Sequence, residues 1–210
     1  MKNLLLLLIT IPIFCFSQKK EKPLKAKEML QELQGKWELD DNNNITFVKI
    51  IDSINLTKEE IYNRALAYFT YNYGKGDWVV QLEDKESGVI VGKGIYPNVY
   101  SGFFILNPVS FDTTHLIRID VKDRRARVVV TLQSYEKSVY YYSTTYSPSR
   151  TDKYSEFIYK TFPVSESRTQ KNLYTNAFYY SYKAAMNSID EIEKSIRTGN
   201  TSSKIENEDW

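Results

Sequence analysis

Chemistry, if this chain performs any, has few side chains to work with. His115 is the only histidine, so a histidine-ligated metal site is excluded and any nucleophilic triad would have to recruit this one residue. It stands beside Asp112, Thr113 and Thr114 at the start of a strand-like run, and it reads as a solvated turn residue. Carboxylates occur in pairs, Asp84 with Glu86 and Glu59 with Glu60, as a glycoside hydrolase would need. The first pair flanks a turn and the second opens a helix, so each has a structural role already. Gly88 to Gly94 suggests a phosphate loop, but only three residues separate Gly88 from Gly92, and a glycine follows Lys93 where a Ser or Thr is required. These glycines read instead as strand positions under a large neighbour, with Trp78 the candidate. The basic run from Lys122 to Arg127 could meet phosphates or acidic glycans, yet it contains Asp123 and reads as a hairpin tip. No metal, cofactor or catalytic signature emerges.

The N-terminus speaks to compartment. Lys2 precedes an apolar run from Leu4 to Phe16, which ends at Ser17 before Gln18, Lys19 and Lys20. That is the pattern of a cleaved export signal, too short to span a bilayer comfortably. Bulky Ile13 and Phe14 argue against a lipoprotein cut at Cys15. Cleavage after Ser17 removes the only cysteine, which leaves no disulfide and no thiol nucleophile. The expectation is an exported protein, periplasmic or associated with the outer envelope, that meets the membrane only through its transient signal.

Twenty-eight basic residues against 26 acidic ones, with both signs interspersed, argue against a nucleic-acid partner. A hydrophobic content of 42% supports a genuine core. Seventeen tyrosines suit both half-buried sheets and aromatic platforms.

The elements that would position these residues follow from periodicity. Residues 18–36 form a charged leader with a short helix from Lys25 to Gln34, carrying Leu24, Met29, Leu30 and Leu33 on one side. Ile45 to Ile51 alternates as a strand, with Ile45, Phe47 and Ile51 on one face. Thr57 and Glu60 make a capping box for a helix that ends at Gly74 and Gly76. Strands follow at Trp78 to Glu83 and Val89 to Ile95, then a short one from Gly102 to Leu106 closed by Asn107 and Pro108. His115 to Lys122 and Arg125 to Gln133 form a hairpin. With Asp123 and Arg124 as its turn, Lys122 faces Arg125, Asp120 faces Arg127 and Ile119 faces Val128.

One face of that hairpin is apolar (Ile117, Ile119, Val121, Ala126, Val128, Val130). The other carries Arg118, Asp120, Lys122, Arg127, Thr131 and Gln133, as on a sheet buried on one side only. A second, irregular hairpin spans Tyr135 to Tyr159. A long helix runs from Thr169 to Arg197, its core stripe led by Leu173, Ala177, Tyr180 and Ala184, and Gly199 stops it. A second stripe (Tyr174, Phe178, Tyr182, Ala185) is available to the sheet edge or to another subunit, hence an expected homodimer. Residues 199–210 form an acidic tail.

Leu56 to Tyr62, Asp84 to Gly94, and the Ile119–Asp123 strand end leading into Arg127–Val128 form a recognisable succession. It resembles a secreted bacterial family of unknown function with a TATA-binding-protein-like (TBP-like) fold, over roughly Trp37 to Gln133. The resemblance implies a curved antiparallel sheet with helices on one face and assigns no activity; with the tyrosine-rich hairpin and the C-terminal helix added, the expected single α+β domain spans residues 37–198. The fold name carries no implication of DNA binding.

The function expected is a non-enzymatic, ligand- or protein-binding module that uses the open sheet face and requires no cofactor. The candidate contact residues are Arg118, Asp120, Arg127, Thr131, Gln133 and Tyr135, and the expected partner is an envelope protein or glycan. The alternative is a carboxylate-dependent hydrolase of envelope polymers, with two carboxylates converging in one pocket.

Overall fold

The computed structural model describes residues 24–72, 78–165 and 170–199. The expected signal, the leader before Leu24, the Gly74–Gly76 stop and the tail from 200 onward lie outside the described residues. Among the described residues, three α-helices and seven strands follow in the order α1 (Ala26–Leu33), β1 (Glu38–Leu39), β2 (Ile45–Ile51), α2 (Lys58–Asn72), β3 (Trp78–Asp84), β4 (Val89–Phe104), β5 (Asn107–Lys122), β6 (Arg125–Tyr141), β7 (Arg150–Phe157) and α3 (Lys171–Thr198), with a 3-10 turn at Ile158–Lys160. All pairings are antiparallel, in the order β1-β2-β6-β5-β4-β3. β7 pairs with β6 beyond the point where β2 ends. The result is a curved, open sheet with its helices on one face and a long C-terminal helix across it.

The hairpin turn holds the register read from the sequence: Lys122 faces Arg125, Asp120 faces Arg127 and Ile119 faces Val128. Asp-Arg is a poor primed turn by itself, and Arg124 sits at φ 59. Tertiary partners support it. Asp123 accepts a hydrogen bond from the Lys58 amide (2.9 Å) at the N-terminus of α2, where the helix dipole favours a carboxylate. Arg124 exchanges backbone bonds with Ile54 and Leu56. The neighbouring β3–β4 turn needs its glycine: Gly88 lies at φ +76, and a Cβ there would meet the Val121 carbonyl at 2.6 Å.

Bulges bend the sheet and decide which residues face the helices. On β5 the odd positions from Val109 to Val121 are all buried. On β6 the even positions Ala126 to Leu132 are buried, and then the odd positions Tyr135, Lys137 and Val139. The switch occurs at Gln133, since Leu132 pairs with His115 and Ser134 with Thr114. The same point is where β2 stops and β7 begins along β6.

Several expectations change. Gly102 to Leu106 is not a separate short strand; β4 runs unbroken to Phe104, and Asn107 and Pro108 open β5 instead of closing its predecessor. A proline is tolerated there because it occupies the strand's first positions. His115 is not in a solvated turn: it lies mid-strand with no exposed surface, stacked on Tyr96 with ring centroids 3.7 Å apart. Burial pushes its imidazole down to about pKa 3, so it stays neutral.

The second stripe of α3 is not free for another subunit. Tyr174, Phe178, Tyr182 and Ala185 are buried within the fold, whereas Tyr180 is 38% exposed. Phe178 packs edge-on against Trp37 and Tyr182 against Phe47. α1 docks on α3, where Glu32 accepts hydrogen bonds from Tyr179 Oη and Lys183 Nζ (both 2.8 Å). A seam of buried hydroxyls joins α3 to the sheet: Tyr96 donates to Ser188 (2.9 Å), and Thr113 meets Ser181 (2.7 Å). Satisfied pairs of this kind fix the helix in one register where apolar packing alone would slide.

Candidate binding face

The face opposite the helices carries side chains that the register sets in rows. Arg118 and Asp120 are two apart on β5 and therefore point the same way, and Arg127 is directly across on β6. Asp120 is shared. Arg118 Nε donates to Oδ1 at 2.8 Å, and Arg127 donates to Oδ2 through Nε (2.9 Å) and Nη2 (2.7 Å). The Asp120 side chain is 17% exposed, those of Arg118 and Arg127 50% and 53%. One negative charge thus orients two positive ones, and the surplus cation faces solvent. The Nη1 group of each arginine makes no hydrogen bond among the described residues. Exposed ion pairs add little stability by themselves; a shared carboxylate chiefly fixes where the forks point.

Apolar side chains cross the sheet beside this cluster. Val48, Val129, Arg118, Val91 and Leu82 occupy successive strands in one row, and Val48 and Leu82 are exposed. Ile50 pairs with Arg127. Between Ile50 and the cations Lys122, Arg125 and Arg127 lies a cleft of about 260 Å³ with Asp120 on its wall. Arg125 is partly committed, at 2.9 Å from Asp52.

Of the six residues expected here, Arg118, Asp120 and Arg127 meet as one cluster. Thr131 lies on the same face, paired with Thr46 and Leu116. Gln133 is the extra residue of the bulge and is half-buried. Tyr135 does not belong to this face. It has no exposed surface and packs edge-on against Phe111 and near Tyr174 on the helical side. Strict alternation from Thr131 through Gln133 places Tyr135 outside; the bulge turns it in. Burial raises its phenol pKa, and its hydroxyl has no hydrogen-bond partner among the described residues.

Sequence reasoning missed Val48, Ile50 and Leu82, because nothing local states that β2 borders this hairpin at that register, or that β3 follows it one strand further on beyond β4. It also missed a polar cluster on the helical side. Lys137, 9% exposed, contacts Glu156 at 2.5 Å and Tyr174 Oη at 2.9 Å, and Tyr174 hydrogen-bonds Glu156. Burial first, then the Glu156 carboxylate, raises the Tyr174 phenol pKa. Its three members come from β6, β7 and α3, far apart in sequence.

Three of the four paired carboxylates are occupied. Asp84 accepts from the Ser87 amide (2.9 Å), Glu60 from the Thr57 amide and hydroxyl (2.8 Å each), and Glu59 pairs with Lys85 (2.7 Å). Each of the four described clefts is lined by at most one carboxylate.

These features define an open-faced α+β domain of the TBP-like type. Residues 47–136 match the family described as a domain of unknown function (DUF4468) with a TBP-like fold, in line with the resemblance read from the sequence. Among solved structures, the chain is similar to a TBP-like protein from Parabacteroides distasonis at 16% identity and a TM-score of 0.48, over 74% of this chain and 96% of that one. It is also similar to a DUF4468 family protein from Bacteroides ovatus at 14% identity and a TM-score of 0.49, over 81% of this chain and 94% of that one. No curated protein matches the chain.

Proposed function

We propose that this chain is an exported bacterial envelope protein, and that its open sheet face is a non-enzymatic binding surface for an acidic segment of another envelope protein. The carrying observation is the Arg118–Asp120–Arg127 cluster set beside an exposed apolar row. Guanidinium forks suit carboxylates in geometry and charge, and the apolar row offers places for intervening aliphatic side chains. The basic-then-apolar stretch Lys2 to Phe16 supports export. Binding is favoured over hydrolysis because the carboxylates nearest the face orient arginines or cap turns.

The test is an NMR titration of the protein with a short peptide of alternating Glu and Val. Amide shifts are expected along β5 and β6 around Arg118 and Arg127, weakening with added salt. The double charge reversal Arg118→Glu with Arg127→Glu should lower affinity at least about tenfold. Shifts confined to another surface, or undiminished affinity in the double variant, would remove the reading; a response to a sulfated glycan but not to the peptide would replace it with a glycan-binding one.

A further inference from the structure

Charge is distributed unevenly along the strands. No Asp, Glu, Lys or Arg occurs from Gly94 to Phe111, nor from Ser138 to Ser149, in a chain that is 26% charged. The register brings these two stretches to the same end of the sheet, since Val109 pairs with Val139. They form the β4–β5 hairpin tip and the β6–β7 loop. The opposite end, with Lys58, Lys85, Glu86, Lys122, Asp123 and Arg124, is dense in charge.

Charge at this end is confined to the start of β7, where Arg150, Asp152 and Lys153 pair with Tyr141, Val139 and Ser138, and the β4–β5 tip is greasy. Phe103 is 66% exposed, and Ile105 and Leu106 are each 79% exposed. Ile105 sits at φ 58, a left-handed position that a β-branched residue tolerates poorly and where glycine or asparagine is ordinary. The fold gains nothing from this side chain, which packs on little and strains its own backbone. Behind the tip, Tyr140, Tyr142 and Tyr146 are exposed, Tyr146 almost completely. A crevice of about 430 Å³ beside the tip, between Phe103, Pro108 and Tyr140, has no charged residue in its lining.

We infer that this end of the molecule docks into the interfacial layer of a lipid bilayer, with Phe103, Ile105 and Leu106 entering the acyl boundary and the tyrosines lying at headgroup level. Apolar points backed by amphipathic rings match that gradient from hydrocarbon to water. A protein partner would have to offer a groove shaped to Phe103, Ile105 and Leu106. A soft phase needs no complementary groove. The contact is separate from the arginine cluster and independent of the function proposed above.

The test uses the full chain with Cys15→Ser, carrying an environment-sensitive fluorophore at Leu106→Cys or, as a control, at Asp123→Cys. It is mixed with vesicles of phosphatidylethanolamine and phosphatidylglycerol containing a quencher on the acyl chains. The label at 106 should shift to the blue and be quenched, also in high salt, while the label at 123 stays aqueous. Adding Ile105→Asn, which relieves the backbone and so preserves folding, should lower that quenching several-fold, about what losing one buried aliphatic side chain implies. An aqueous environment at 106, equal quenching at 106 and 123, or a vesicle-independent blue shift that depends on protein concentration, the mark of self-association, would each overturn the inference.

Discussion

At the scale of single residues, His115 shows how far burial can change a side chain's chemistry. Stacked on Tyr96 inside the sheet–helix interface, the neutral imidazole acts as a flat packing element. Its pKa is lowered by burial from 6.5 to about 3, so the unfolded chain binds a proton that the folded one refuses. The stabilisation is therefore complete above pH 6.5 and lost progressively as pH falls towards 3. Between roughly pH 7 and pH 5 this one group should remove about 2 kcal/mol of stability. Urea unfolding at the two values checks it: His115→Phe, which keeps a ring in the stack, should flatten that part of the pH dependence. Tyr135 teaches the related lesson that a residue's face depends on the count of residues before it, and one bulged glutamine is enough to reverse it.

Among the elements, the β5–β6 hairpin was the most legible. Strict alternation from Ile117 to Val130 specified both its register and its buried face, because a one-residue slip would expose every aliphatic side chain. Its turn chemistry was poor, and the structure shows the compensation: Asp123 is held by the α2 N-terminus. Asp123→Ala should lower stability by about 1–2 kcal/mol, seen as a lower urea midpoint with an unchanged slope. The capping box at Thr57 and Glu60 was equally readable, being a contact over three residues. By contrast, the end of β4 was misread, because Gly102 looks like a strand boundary until its pairing with Val109 is known.

For the whole molecule, α3 ties the layers together. It carries α1 on one side and lies on β4, β6 and β2 with the other. Phe178, wholly buried against Trp37, sits where these contacts meet. Phe178→Ala should cost about 3–5 kcal/mol, and α1, α3 and the sheet should still unfold in one transition, followed by helix and tyrosine signals together. Separate transitions would show instead that the helical layer is an appendage. The same architecture gives the sheet two unlike ends and two unlike faces: helices on one side, a cationic and apolar surface on the other, charged turns at one end and bare apolar tips at the opposite one.

By itself the amino-acid sequence determined what neighbours along the chain can enforce: the capped helix α2, the span of β2, the inner and outer faces of the β5–β6 hairpin, and the Asp120–Arg127 pair. Each rests on contacts within one helical turn or across one short hairpin, where periodicity and geometry leave a single solution. Only the tertiary structure decided the burial of His115 and Tyr135, the Lys137–Glu156–Tyr174 cluster, the apolar row beside the arginines and the meeting of two uncharged tips. Those depend on strands and helices distant in sequence being brought together. A bulge or a shared edge sets such encounters, and local pattern has no means of counting it.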